Sequence, residues 1–221
     1  MKLVLFDCDG TLVDSLAIIQ ETMRRTFIAF GHAEPDANAV RGTVGLTLDV
    51  AIAGLLGRGG VDAESRDMMG YYRSLFSEVR ADPALAERLY DGIAPMLEHL
   101  FLQDDILVGA VTGKSRRGLD HMLSTHGFAR NFIATRTADD CPSKPNPAMV
   151  LECCAETGLD PSDAVVIGDT VFDMEMARSA GAPAIGVSWG YGAPNDLLRA
   201  GAGVIAETPG DILQHVLSGA S

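Results

Sequence analysis

Leu3-Val4-Leu5-Phe6-Asp7-Cys8-Asp9-Gly10-Thr11-Leu12 passes from four large apolar residues straight into two carboxylates and a glycine turn. An apolar run closed by such a turn reads as a strand buried on both faces, the kind found in parallel sheets covered by helices. Asp7 and Asp9 then leave its carboxyl end, the edge at which open α/β sheets bind ligands. Two positions apart on a strand, they point to one side and Cys8 to the other. Their like charges repel, so either a cation sits between them or one of the two stays protonated. A solvated turn is the plain alternative for this stretch taken alone, since Asp, Gly and Thr are ordinary turn residues.

Beyond that turn, residues 15–90 read as a helical module. Ser15 suits an N-cap, and Ile18, Ile19, Thr22, Met23, Thr26 and Phe27 recur at helical spacing. Further helices are expected over Leu48 to Leu56 and Ala63 to Val79, parted by Gly57-Arg58-Gly59-Gly60, and no strand is read in this block. After Asp91-Gly92 helix and strand alternate. Strands are expected over Ile106 to Val111, Phe132 to Ala134, Ala164 to Ile167, Ala184 to Val187 and Gly203 to Ile205. Helices are expected over Pro95 to Leu100, Arg116 to Thr125, Pro147 to Thr157 and Met174 to Ala180. The fold class is therefore α/β: a doubly wound parallel sheet from residues 1–14 and 91–221, with a small all-helical domain, residues 15–90, inserted after the first strand.

Hydrophobic residues make up 47% of the chain and charged ones only 21%, a globular balance. The net charge of -13 argues against a nucleic-acid partner, because no basic stripe exists to displace counterions. It does not exclude small anions, which a few local positive groups can hold. The start leads directly into a strand that ends in acids, without an apolar leader or span, so no membrane association and a cytoplasmic location are expected. Cys8, Cys141, Cys153 and Cys154 show no disulfide framework or zinc spacing, and read as reduced, buried thiols. The five histidines are scattered, which leaves serine–histidine chemistry without support.

Three further stretches carry chemistry. The strand Ile106 to Val111 ends in Thr112-Gly113-Lys114-Ser115, where a hydroxyl, a bare backbone turn and a helix start suit a phosphate group. Lys114 there reads equally well as a solvated surface charge. The strand Val165-Val166-Ile167 ends in Gly168-Asp169-Thr170-Val171-Phe172-Asp173, a second pair of acids at the same edge. Carboxylates delivered by two strands call for a divalent cation with oxygen ligands, and Mg²⁺ is the default beside phosphate. In Cys141-Pro142-Ser143-Lys144-Pro145-Asn146-Pro147 the prolines stiffen the loop and aim the Lys144 ammonium.

Together, Asp7-x-Asp9-Gly10-Thr11, Thr112-Gly113, Lys144-Pro145 and Gly168-Asp169-x-x-x-Asp173 resemble the four motifs of the haloacid dehalogenase-like (HAD) superfamily. The likeness covers nearly the whole chain, includes a helical cap between the first two motifs, and is greatest to the phosphoglycolate phosphatase and β-phosphoglucomutase-like branch. It implies a phosphomonoester hydrolase with Asp7 as the nucleophile that forms an aspartyl-phosphate and Asp9 as general acid–base. Mg²⁺ would be held by Asp7, the backbone carbonyl of Asp9 and Asp169, with Asp173 behind them. Thr112, Gly113 and Lys144 would bind the phosphoryl group, and the partner would be a small phosphorylated metabolite, with phosphoglycolate as first guess. Arg41 and Arg73 are the cap arginines to watch, since one pointing into the cleft would favour a substrate with a second anion.

Rival readings are a sugar phosphomutase, a dehalogenase and a phospho-accepting signalling module. Asp169 stands where β-phosphoglucomutase-like proteins carry glutamate, which favours hydrolysis; dehalogenation needs no metal; a receiver module has neither the Asp-x-Asp start nor the helical insertion. A monomer or small homo-oligomer is the default assembly.

Overall fold

A computed structural model of the chain describes residues 1–218. β1 (Lys2–Phe6) leads to a two-residue strand, β2 (Val13–Asp14), and then to four helices, α1 (Leu16–Ala29), α2 (Ala37–Arg41), α3 (Leu48–Leu55) and α4 (Ala63–Val79). A second short strand, β3 (Arg88–Leu89), brings the chain back. Helix and strand then alternate through α5 (Ile93–Phe101), β4 (Ile106–Val111), α6 (Arg116–Thr125), β5 (Phe132–Arg136), α7 (Ala148–Thr157) and β6 (Ala164–Gly168). The chain continues through α8 (Val171–Ala180), β7 (Ala184–Val187), α9 (Pro194–Ala200), β8 (Val204–Ala206) and α10 (Pro209–Ser218).

Six strands form one parallel sheet in the order β5-β4-β1-β6-β7-β8, the α/β architecture expected. Residues of β1 alternate between its faces. Leu3 and Leu5 pack with Met149, Val150, Val166 and Met174, whereas Val4, Phe6 and Cys8 pack with Leu97, Val108, Leu119 and Ile167. Both faces of β1 are therefore buried, at about 1.5–3 kcal/mol per large apolar side chain. Phe6 lies opposite Ala110 of β4 and Ile167 of β6, so the three strands end level. Asp7, Thr112 and Asp169, each the first residue beyond its strand, are thereby delivered to one edge.

The helices between β2 and β3 have an apolar cluster of their own, built on Met23, Phe27, Val40, Ile52, Met68 and Tyr72. In α1 the buried residues Ile18, Thr22, Met23, Thr26 and Phe27 are those picked out by their spacing. Helix α4 starts at a capping box, in which Asp62 Oδ1 accepts from the Ser65 amide at 2.8 Å and Ser65 Oγ accepts from the Asp62 amide at 2.9 Å. Ser15 stands at the N-cap of α1 but makes no cap bond; its hydroxyl donates to Asp9 instead.

Several expectations are corrected. The block 15–90 is not free of strands, because β3 pairs antiparallel with β2, Val13 opposite Leu89 and Asp14 opposite Arg88. Two residues are too few for an alternation signal, and this strand exists only through its distant partner. Helix α8 begins at Val171 rather than Met174, since Thr170 and Asp173 form a capping box around its first turn. Pro147 precedes α7 rather than opening it. Helices α2, α9 and α10 were not anticipated; α2 and α9 are too short for periodicity to register.

Gly109 marks the tightest point of the sheet. A Cβ there would sit 2.3 Å from the Ala134 carbonyl oxygen and 2.8 Å from Leu5, where the β4–β5 register shifts. Gly109→Ala is expected to lower stability by about 1–3 kcal/mol, read as a lower urea midpoint at unchanged slope.

Candidate active site

The turn after β1 buries both of its acids, Asp7 at 1% and Asp9 at 8% exposure. Each meets a different lysine. Lys144, itself buried, reaches up from its proline-rich loop and places Nζ 2.8 Å from Asp7 Oδ1 and 2.6 Å from Asp173 Oδ1. Lys114 places Nζ 2.7 Å from Asp9 Oδ1 and 2.5 Å from Glu87 Oε1. Lys114 is thus a buried residue of the site and not a solvated surface charge.

Asp169 and Asp173 complete the cluster. Asp169 Oδ1 accepts from Thr11 Oγ1 at 2.9 Å, and Oδ2 accepts from the Tyr191 amide at 2.8 Å. Asp173 Oδ2 accepts from the Thr170 amide at 3.0 Å and hydroxyl at 2.7 Å, bonds that come from its place in the α8 capping box. Gly10 adopts φ +86°, and a Cβ there would lie 2.2 Å from Asp169 Oδ2. Only glycine allows the β1 turn to approach Asp169 this closely.

Carboxylate oxygens of Asp7, Asp169 and Asp173 lie within 4.8 Å of one another. Burial, with the charges of Asp173 and Asp9, pushes the Asp7 carboxyl up to about 7 against the pull of Lys144. Burial likewise holds Asp169 well above the carboxylate range, helped by Asp173 and Asp7. Burial works against the Lys144 charge, but Asp173 and Asp7 outweigh it and hold the ammonium above its ordinary value. Fully ionised, three carboxylates against one ammonium would leave two negative charges uncompensated, the charge of one divalent cation. Among the described residues Asp7 Oδ2 has no hydrogen-bond partner, and Oδ1, though in ion-pair reach of Lys144, is not aligned with it for a hydrogen bond. An all-oxygen set with bare lone pairs suits a hard divalent cation.

The β4 turn closes the site from the other side. Thr112 is fully buried, and its Oγ1 accepts from the Lys114 amide at 3.2 Å. Gly113 lies against the helical block, where a Cβ would meet the Leu46 carbonyl oxygen at 2.7 Å. Between them runs a cavity of about 340 Å³. Asp9 and Lys114 line it together with apolar side chains that include Ile19, Met23, Tyr72 and Phe76. The helical block is seated on the sheet edge by a bond from the Thr47 amide to Ser143 Oγ at 2.9 Å and by an Arg73–Asp139 ion pair at 2.7 Å.

The structure therefore brings Asp7, Asp9, Thr112, Gly113, Lys144, Asp169 and Asp173 to one sheet edge. Arg73 lines the cavity. Arg41 does not: it is exposed, donates from Nε to the Tyr191 carbonyl at 3.1 Å and lies over the Tyr191 ring, a strap between helical block and sheet. Sequence reasoning missed Lys114, Glu87, Ser15, Thr11 and Tyr191. Adjacency to Thr112-Gly113 was a signal for Lys114, and the glycines flanking Tyr191 marked a close approach to Asp169. Glu87 carried none.

Fold and site together define an α/β protein with a buried aspartate cluster on the edge of a parallel sheet. The family model of haloacid dehalogenase-like hydrolases matches residues 4–187. Among curated proteins, the chain is 30% identical over 218 residues to N-acetylmuramic acid 6-phosphate phosphatase of Pseudomonas aeruginosa, covering 96% of this chain and 93% of that protein. It is 27% identical over 220 residues to phosphoglycolate phosphatase of Vibrio parahaemolyticus, covering 98% and 96%. A solved haloacid dehalogenase-like hydrolase from Streptococcus pneumoniae superposes with a TM-score of 0.80 at 27% identity, covering 97% of this chain and 98% of that one. The chain belongs to the haloacid dehalogenase-like hydrolases, on the phosphatase branch of that family.

Excess negative charge at this edge has a measurable sign. Asp169→Asn removes a carboxyl whose ionisation burial and its acidic neighbours oppose, while Thr11 Oγ1 can turn to accept from the new amide, so the metal-free protein is expected to melt higher than wild type at neutral pH. Lys144→Met leaves the carboxylates without the ammonium that joins them, and is expected to destabilise the metal-free protein by about 3–5 kcal/mol in urea denaturation.

Proposed function

We propose that this chain is a Mg²⁺-dependent phosphomonoesterase that works through an aspartyl-phosphate on Asp7. The observation that carries the reading is Asp7 Oδ2, a buried carboxylate oxygen without a partner among the described residues, at the floor of a covered edge. Asp7, Asp169 and the backbone carbonyl of Asp9 would hold Mg²⁺, which when bound supplies positive charge against the phosphoryl oxygens. Asp7 attacks phosphorus; a bond forms from its carboxylate oxygen as the bond to the ester oxygen breaks. Asp9 gives the departing alkoxide its proton, then takes a proton from the water that cleaves the aspartyl-phosphate, releasing inorganic phosphate and restoring both carboxyls. Lys144 pulls Asp7 toward its ionised form against the cost of burial and offsets the approach of one anion to another. Thr112 and Gly113 would grip the remaining oxygens, so that the group is aligned before attack.

The helical block, residues 15–90, would act as a cap, excluding water and shaping the leaving-group site. The substrate class favoured is a phosphomonoester that also carries a carboxylate. Phosphoglycolate and N-acetylmuramic acid 6-phosphate, which name the activities of the two relatives, share that pairing. Arg73 and Arg117 line the cavity and could meet the acid. A two-carbon acid would leave most of a cavity of about 340 Å³ unfilled, and its mixed polar and apolar lining favours a body of sugar size.

A panel of phosphomonoesters and sugar bisphosphates, assayed with and without Mg²⁺, tests the reading. Wild type is expected to release phosphate from monoesters only with the metal, and Asp7→Asn to abolish release; full activity in Asp7→Asn would exclude the covalent route. Mg²⁺ at a hundredfold excess over its Kd is expected to stabilise the protein by about 2.7 kcal/mol in thermal unfolding, an effect absent in Asp169→Asn. Arg73→Ala is expected to raise KM for a sugar-acid phosphate about tenfold more than for a neutral sugar phosphate, the loss common to both reporting the broken Arg73–Asp139 ion pair.

A further inference from the structure

Asp9 is gripped by one oxygen. Lys114 Nζ and Ser15 Oγ both meet Oδ1, whereas no donor among the described residues meets Oδ2, and the residue lines the cavity. Lys114 is fixed in turn by Glu87, and their side chains are 6% and 7% exposed. Glu87 belongs to the return segment of the helical block, immediately before β3. Its Oε2 lies 3.4 Å from Arg80 Nε at the end of α4, and the Arg80 guanidinium lies 4.8 Å from the centre of the Phe76 ring. A continuous file of contacts thus runs from the last helix of the block through Glu87 and Lys114 to Asp9.

We propose that Glu87 and Lys114 are positioning residues: Glu87 sets Lys114, and Lys114 clamps Asp9 Oδ1 so that Oδ2 faces the ester oxygen. The geometry explains why both are needed. An ammonium on a four-carbon stem has three donors and free torsions, and with nothing behind it can swing across to Oδ2 or into the cavity. Glu87 takes a second donor of Nζ at 2.5 Å and so restrains the stem. Since Glu87 arrives with the helical block, the clamp is complete only when that block is seated, which ties alignment of the proton carrier to closure over the substrate. Burial works against the Lys114 charge, yet Asp9 and Glu87 outweigh it, so the ammonium stays charged in place.

The proposal rests on Asp9 as the proton carrier, and the test separates the two. The Mg²⁺-loaded enzyme is assayed on glycerol phosphate, whose alkoxide needs a proton to leave, and on p-nitrophenyl phosphate, whose phenolate does not. The parameter kcat/KM covers every step through departure of the leaving group. Glu87→Gln is expected to lower it about a hundredfold for glycerol phosphate but less than roughly threefold for p-nitrophenyl phosphate, with inhibition by inorganic phosphate unchanged. Lys114→Met is expected to give the same split, and Glu87→Gln to add nothing in the Lys114→Met background. The double variant removes both members of the Glu87–Lys114 ion pair together, so neither is left facing a missing partner, and it reports the split even where a single variant folds poorly. Equal losses on the two esters, or additive losses, overturn the proposal. A wild-type enzyme without Mg²⁺-dependent activity on either ester overturns the phosphatase reading beneath it.

Discussion

One buried ammonium holds the carboxylate-rich edge of the sheet together. Lys144 lies between Asp7 and Asp173, shut off from solvent, and Asp169 stands alongside without a cation of its own among the described residues. A lysine in this position gains nothing from burial itself; it is kept charged by its neighbours. The arrangement is stable enough to fold around yet short of positive charge. On the proposed reading, that shortfall is what a divalent cation would fill, with the carboxylates already held in place.

The two acids of the opening turn differ because their neighbours differ. Asp7 faces Lys144 and the acids of β6 and α8, from the sheet side. Asp9 faces Lys114, Ser15 and the cavity under the helical block. A displacement of two residues along one turn places one carboxylate in the charge cluster and the other against the cavity.

Much of this was legible in the chain. Period-two burial in β1 and level strand ends put Asp7, Thr112 and Asp169 on one edge, and both are local consequences of apolar runs closed by turn residues. The helix from Ala63 to about Val79 was legible because a long helical stretch follows the glycine-rich turn Gly57-Arg58-Gly59-Gly60. The features that escaped depend on contacts distant in sequence. Glu87 has no local mark, since its role comes from a lysine on another strand end. Strand β3 owes its existence to β2. Arg41 looked like a ligand for substrate because residue type alone does not tell whether an arginine will meet an anion or a backbone carbonyl.

The pairing of β2 with β3 reaches further than its four residues. Val13 and Leu89 face each other, so the chain leaves the sheet and returns at nearly one point. The ends are brought together once, and each doubling of the intervening length adds only about 0.6 kcal/mol of closure entropy. To the sheet, everything between those two residues is a loop of almost constant cost. An insertion held this way can be lengthened, trimmed or exchanged without disturbing the strands beneath it. The chemistry at the edge can then stay fixed while the choice of substrate drifts.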